Sequence, residues 1–469
     1  RSDDRAGNFE IYVARHAAGQ WTELAGSGHD GGISASGSAS LRPSITLNDA
    51  GQPIVAWVES TGAFSWIRTA RFDAQMNGGR GAWVQMGAAS DVFGVAADPV
   101  VVFTSAGPVV GWLATSAGKT DVHVRRFDGS AWIELGSGSA SGGGVSQSMA
   151  GVSGFALATD GTKVAVAWSE DRGFGPQIYA RASSGGAWQA LAGSASGAGL
   201  SNVAGGSATA PTAAYLAGDL FVAWETHLPS STEVYAARFS GGAWQPAGAG
   251  AASGTGVSRS GGASTRPELA SGGGRLHLVW FDDRRANFTG DTVALYAKTW
   301  TGSGFEERVA GDARDRGIAG IIAPDAGSPA VAVDVTGRPF VAWTDDGTGG
   351  PEVLLRGDSW NVGKIYYVND GSRIGDTLTT APGRDSNDGL SAATPLASVS
   401  QVLATYDLDP GDVILVDNGV YDDGFTVTAA DAGCLIAGSS AGGARVEKPV
   451  RLEAASGAVL ASFNLAACL

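Results

Sequence analysis

The sequence predicts an all-β chain, a β-propeller of four-stranded blades followed by a shorter C-terminal domain of different composition. A phrase ending in Val-Ala-Trp or a close variant recurs, with anchors at Trp57, Trp112, Trp168, Trp224, Trp280 and Trp343, spaced 55, 56, 56, 56 and 63 residues apart. After the anchors come aromatic pairs nine residues apart, Tyr12/Trp21, Tyr179/Trp188, Tyr235/Trp244 and Tyr296/Phe305, with His123 in the Tyr place before Trp132. The chain of 469 residues holds 72 glycines and only 16% charged residues, which argues against helical bundles.

Each repeat supplies two hairpins. The first is the run from Pro43 to Trp57, matched from Pro329 to Trp343, with turn residues Asn48, Asp49 and Gly51, and Asp334 and Gly337. Gly at positive φ and Asx side chains are what a tight connection needs. The second hairpin spans Ile11 to Trp21, Ile178 to Trp188 and Val234 to Trp244. Four short strands per repeat is the content of a propeller blade. Apolar runs such as Phe221 to Trp224 and Leu278 to Trp280 do not alternate, as expected for mid-blade strands covered on both faces. Low-complexity linkers, Gly136 to Ser148 and Gly250 to Ser260, recur at a fixed place and are read as ordered connections. Their glycines are expected to permit close approach to the next blade's first strand. Aligning Ile11-Tyr12 with Ile178-Tyr179 sets Arg1 against Trp168, so the chain is expected to begin at the end of a second strand. Seven outer pairs stand against six inner ones, the last repeat keeping its own outer strands (Val353 to Gly357, then Trp360). The preferred reading of residues 1–363 is a seven-bladed ring whose first blade is completed by residues outside this chain; a six-bladed ring with a dangling hairpin is the alternative.

Composition shifts at Lys364. Val399, Val402, Leu403 and Tyr406 follow the i, i+3, i+4, i+7 pattern of a short amphipathic helix, stopped by Pro410-Gly411 before a strand from Val413 to Val416. Tyr366-Tyr367-Val368, the Asp385 to Gly389 turn with Ser391 to Pro395, the helix, and Pro410-Gly411-Asp412 with Val416 to Tyr421 follow one another in an order that resembles the N-terminal part of right-handed parallel β-helix proteins of the pectate-lyase-like class. The resemblance covers residues 364–469 and implies a capped solenoid start, with the helix protecting the first rung's edge. That class draws its catalytic residues from later rungs, so none is carried over. The preceding repeats resemble propeller arrays of bacterial exported proteins, which implies an extracellular or cell-surface location.

A net charge of -15, from 46 acidic and 31 basic side chains, argues against nucleic acid and anionic lipid as partners. No run of 18 apolar residues is present to span a bilayer as a helix. With Arg1 first and no leader pattern, position 1 is not expected to be a natural start, and the gene is expected to be longer. Cys434 and Cys468 either bridge or stay as thiols, a choice that sequence leaves open.

The strongest recurring polar feature follows the anchors: Asp3-Asp4-Arg5, Glu170-Asp171-Arg172, Asp282-Asp283-Arg284 and Asp345-Asp346, with single acids at Glu59 and Glu225. Placed on one loop of every blade, Asp171, Asp282, Asp283, Asp345 and Asp346 are expected to ring one face, where carboxylates can bind Ca²⁺ or sugar hydroxyls. The competing explanation is an Asx turn or an Arg–carboxylate pair. Asp385, Asn387 and Asp388, with Gly389, resemble the first half of a calcium loop that lacks its far Glu; a stabilised turn is the competing explanation. The tryptophans at fixed register read as packing, and Trp66 and Trp83, in the one irregular blade, are the candidates for sugar stacking. Sialidase-like propellers offer a comparison, but Arg42-Pro43 and Arg266-Pro267 lack that family's middle residue and no complete Asp box occurs. No Gly-x-Ser-x-Gly, His-Glu-x-x-His or other catalytic constellation is found. The expected function is a non-enzymatic extracellular module presenting propeller loops to glycans or protein partners. Its alternatives are an accessory domain of a polysaccharide lyase or hydrolase, with the active site beyond residue 469, and a subunit of a surface filament or layer.

Overall fold

The anchor tryptophans lie in the second strands of antiparallel sheets that follow one another along the chain. The computed structural model describes residues 2–4, 7–17, 20–91, 94–173, 175–184, 186–283, 293–308, 313, 317–318, 321–322, 329–345, 352–357, 365–406, 408, 412–428, 431, 434–439, 443–448, 450–452, 459–461 and 463–465. Two compact units divide the chain: Arg1–Asp291 with Thr299–Glu306 and Gly327–Thr344, and Thr292–Lys298 with Glu307–Ala326 and Asp345–Leu469.

In the first unit the blade of Trp168 shows the plan. Val152–Thr159, Val164–Asp171, Pro176–Ser184 and Ala187–Ala190 pair in chain order as an antiparallel meander. The blade of Trp224 repeats it with Ser207–Leu216, Asp219–Leu228, Ser231–Ser240 and Ala243–Pro246. Register is repeated too: Trp168 stands opposite Tyr179, Trp224 opposite Tyr235 and Trp112 opposite His123. The second strand is buried from Val164 to Glu170, which explains its missing alternation, since neighbouring blades cover both faces. First strands of successive blades contact one another, from Ala39–Leu47 to Val95–Thr104 and on through Val152–Thr159, Ser207–Leu216, Ser264–Gly272 and Ala330–Val333. That radial stacking, first strands inside and short fourth strands outside, is the arrangement of a β-propeller.

Hairpin chemistry is as expected. Asn48 Oδ1 accepts from the N–H groups of Ala50 and Gln52, at 3.0 and 2.8 Å, and Asp334 Oδ1 from those of Thr336 and Arg338, at 2.8 and 2.9 Å. Four first strands also carry a bulge opposite the anchor tryptophan, at Arg42-Pro43, Asp98-Pro99, Ala210-Pro211 and Arg266-Pro267. Proline has no N–H to give the ladder, so these pairs drop out of it, and the residue before each proline has φ of 51°, 48°, 46° and 52°. The Arg-Pro dipeptides are therefore bulges of the inner strand.

The linkers are ordered, but they pack on a different strand from the one expected. Gly32, Gly144, Gly199 and Gly256 have positive φ, and a Cβ on each would lie 2.1 to 2.3 Å from the carbonyl oxygens of Ile11, Val122, Ile178 and Val234. Those oxygens belong to the third strand of the same blade. Two residues later Ser34, Ser146, Ser201 and Ser258 accept from the N–H groups of the same four residues at 2.8 to 3.0 Å. Each serine also donates to the preceding third-strand side chain, Glu10, Asp121, Gln177 or Glu233. The fourth strand is too short to cover the third, so the linker supplies the remaining partners. At the chain start Ser2 pairs with Ile11 and Asp3 with Glu10, the register that Ser169 and Glu170 keep with Ile178 and Gln177.

From Ile365 on, the second unit has parallel ladders instead. Ile365–Val368 pairs with Val413–Val416, that strand with Leu435–Gly438, and that with Val459–Ala461. Gly419–Tyr421, Ala444–Val446 and Phe463–Leu465 form a second ladder, and Phe425–Val427 with Val450–Leu452 a third. The helix Val399–Thr405 is capped by Ser398, whose hydroxyl accepts from Gln401 N–H at 3.2 Å. Its Val399 and Val402 are buried among Tyr366, Ile414 and Phe425, with Leu403 and Tyr406 packed against this core. Tyr406 is the C-cap, so the helix ends before Pro410 and Gly411, which lie outside the described residues. Cys434 is buried as a free thiol, and Cys468 lies outside the described residues.

Candidate functional site

Strand geometry decides where the post-anchor acids go. Residues i and i+2 share a face, so the acid two after an anchor points with the indole into the blade. Trp57 Nε1 donates to Glu59 at 3.0 Å, Trp168 to Glu170 at 3.1 Å and Trp280 to Asp282 at 3.4 Å. These three acids are buried. Burial pushes the Glu170 carboxyl up, but Arg172, the Met149 N–H and the Trp168 indole outweigh it and hold it below the usual range. Asp282 accepts from Ser260 and Ser264 hydroxyls at 2.8 and 2.6 Å.

The expected acidic rim is corrected accordingly. Asp282 and Asp283 alternate faces and do not emerge together: Asp282 is buried, whereas Asp283 is half-buried and accepts from Ala263 N–H. Asp171 is exposed, and its Oδ1 accepts from Gly173 N–H at 2.8 Å in an Asx turn. Asp345 ends the strand Pro339–Asp345; its side chain and Asp346 lie outside the described residues. In the second unit Asn387 Nδ2 donates to the Pro395 carbonyl at 2.8 Å, Asp388 Oδ1 accepts from Leu390 N–H and Thr394 Oγ1 at 3.1 and 2.6 Å, and Asp385 is exposed. Among the described residues no three His, Cys, Asp or Glu are grouped to hold a metal ion.

The two nominated tryptophans differ. Trp83 Nε1 donates to Leu24 O at 2.8 Å, just as Trp132, Trp188 and Trp244 donate to Met86, Leu135 and Leu191 carbonyls at 3.1, 2.7 and 2.8 Å. It thus belongs to the series that locks each blade to the one before. Trp66 is half-buried opposite Glu59, in the place that Glu10, Asp121, Gln177 and Glu233 hold in other repeats, and its Nε1 is buried without a partner.

The Trp112 blade differs from the Trp168 blade at three positions around the anchor. In the Trp168 blade, Glu170, Arg172 and Tyr179 fill the space above the anchor. The Arg172 guanidinium lies 4.0 Å over the Tyr179 ring, bonds Glu170 at 2.7 Å and donates to the linker carbonyl of Ala195 at 2.9 Å. The corresponding residues of the Trp112 blade are Ala114, Ser116 and His123. All are smaller. The connection from Ala82–Ala88 to Val95–Thr104 is also far shorter than the linkers elsewhere. What remains is a cavity of about 890 Å³ lined by Trp112, His123, Arg125, Asp91 and Glu134 among others.

Its electrostatics follow from the same neighbours. Burial lowers the His123 pKa, so the imidazole is neutral at pH 7. The Ser141 hydroxyl and the N–H groups of Gly138 and Ala140, at 2.9 and 3.1 Å, hold the Glu134 carboxyl below its usual value. Arg125 donates to Ala89 O at 2.9 Å, lies 3.4 Å from Asp91 and sits 5.9 Å from the Trp112 ring centre. The cavity therefore presents a neutral aromatic wall, a fixed anion and a guanidinium already engaged. Sequence reading placed His123 at a Tyr position; Ala114 and Ser116 were missed, and only their convergence with His123 on one volume sets them apart.

No family model and no curated protein matches the chain. Solved structures do. An α-L-arabinanase of Penicillium chrysogenum complexed with arabinobiose is 12% identical, with a TM-score of 0.38, over 68% of this chain and 92% of its own. A Trypanosoma rangeli sialidase in complex with the inhibitor DANA is 11% identical, with a TM-score of 0.39, over 74% and 58%. The six-bladed β-propeller Aleuria aurantia lectin is 15% identical, with a TM-score of 0.35, over 66% and 93%.

Proposed function

We propose that this chain is an extracellular glycan-binding module of a bacterial surface or secreted protein, and that the glycan enters the cavity beside His123. One observation supports this above the others: the three side chains that fill the equivalent space beside Trp168 are all reduced beside Trp112, while the rest of the blade keeps its register. A cavity of this volume, with one aromatic wall and a few fixed polar groups, is the usual form of a small-molecule site. Around it we read a seven-bladed propeller over residues 1–363, then from Lys364 the capped start of a right-handed parallel β-helix. The parallel ladders and the helix that packs on them support that second reading. They also favour the alternative function, an accessory domain of a polysaccharide lyase or hydrolase.

The test is to restore the repeat. The triple variant A114E/S116R/H123Y copies the Trp168 blade into the cavity and is expected to fold with at least wild-type stability while losing glycan binding, measured by glycan array and calorimetry. Undiminished binding by the folded variant would move the site elsewhere.

A further inference from the structure

Resting on the glycan reading, we infer that the cavity between the 89–94 connection and the Trp112 blade selects against acidic sugars, the hydroxyls of a neutral sugar meeting Glu134 and Arg125 and its apolar ring face lying on His123. Complementarity is set by which polar groups are free to face a ligand. Glu134 is fixed by the linker N–H groups of Gly138 and Ala140, so its carboxylate is positioned before any ligand arrives. A carboxylate only accepts, which suits sugar hydroxyls, and it repels a second carboxylate. The cation that could offset this repulsion is already spent: Arg125 is shared between the Ala89 carbonyl and Asp91. Its remaining N–H donors can serve a hydroxyl oxygen without leaving those partners. An acidic sugar would thus meet two carboxylates, Glu134 and Asp91, against one committed guanidinium. An amino sugar would meet the same two carboxylates against one guanidinium and is not disfavoured by this arrangement.

The aromatic wall agrees. His123 is half-buried and stands where other blades carry tyrosine, 5.7 Å from the Trp112 ring centre in an edge arrangement. A neutral imidazole offers a flat face for C–H groups and one ring N–H for a hydroxyl, and it adds no positive charge that would draw an anion. Acidification far enough to protonate it would make the cavity more accepting of acidic sugars. Because burial lowers its pKa, that change is expected below the ordinary histidine range.

The experiment is calorimetric titration of the full chain at pH 7 with three matched oligosaccharide series, built on neutral hexoses or pentoses, on uronic acids and on hexosamines, in parallel with A114E/S116R/H123Y. The neutral series is expected to bind, the uronic acids about tenfold or more weakly, a difference of about 1.4 kcal/mol, and the triple variant to bind none. Uronic acids that bind as tightly as neutral sugars would overturn the charge selection and leave the glycan reading intact, whereas hexosamines are expected to bind at least as tightly as the neutral series. Failure of all three series would overturn the glycan reading, and this inference with it. Equal binding of neutral sugars by the triple variant would overturn the placement at this cavity.

Discussion

At the scale of single residues, the glycines of the linkers are not interchangeable. Gly144 has φ of 55°, and a Cβ there would lie 2.3 Å from Val122 O and 2.5 Å from the His123 ring. Gly138, in the same linker, has φ of 78° and nothing within 4 Å of a Cβ. Gly138→Ala meets only the left-handed backbone cost, about 1 kcal/mol. Gly144→Ala adds a clash with an immobile third-strand carbonyl and is expected to cost about 3 kcal/mol or more. Urea denaturation of the two variants checks this; equal losses would mean that the linker does not dock on its own third strand. Trp66 stands in the place of Glu10, Asp121, Gln177 and Glu233, in a blade whose short connection still brings Ser90 to accept from the Ile67 N–H at 2.8 Å.

At the scale of the strand, the bulged first strands bring a carboxyl into the blade stack. Glu268 follows Arg266-Pro267 and accepts from the Thr212 hydroxyl of the preceding blade at 3.2 Å. Thr212 in turn accepts from Leu269 N–H at 2.9 Å, as Ser44 does from Val101 N–H at 3.0 Å three blades earlier. Burial pushes Glu268 up to about 7 from 4.5, the Thr212 hydrogen bond opposing. A raised carboxyl binds its proton more tightly in the folded state, so the folded chain carries more protons between these values. Stability should therefore be full below the unfolded pKa and decline as pH rises toward 7. Glu268→Gln is expected to flatten that slope, seen as melting temperatures at pH 5 and 8 that differ less than in the parent. A slope unchanged by the substitution would assign the pH dependence to other groups.

At the scale of the whole molecule, five of the eight nominated cation ligands are engaged locally. Asp171 and Asp388 cap turns, Asn387 ties its turn to Pro395, Asp282 is saturated by two serines and an indole, and Asp283 holds Ala263. The melting temperature is therefore expected to stay within about 1 °C between millimolar Ca²⁺ and excess chelator, since a ligand stabilises only the state that binds it. A clear rise with Ca²⁺ that D345N/D346N removes would instead place a cation at that pair. The blades and the segment from Ile365 also differ in kind. Antiparallel meanders close their hydrogen bonds within each blade and stack by tryptophan-to-carbonyl contacts, whereas the parallel ladders pass their bonds from one turn of chain to the next.

The sequence by itself determined the repeat, its four-strand content, the anchor tryptophans, the hairpin turns and the helix near Val399, because each depends on periodicity or on the backbone preference of a local residue. Tertiary structure decided the rest. Whether the acid at Asp282 faces solvent depends on which side of a strand the next blade covers. The strand on which Gly144 docks depends on how short the fourth strand is. The cavity beside His123 exists because Ala114, Ser116 and His123, up to nine residues apart in sequence, converge on one volume that the blade shares with the connection before it and the linker after it.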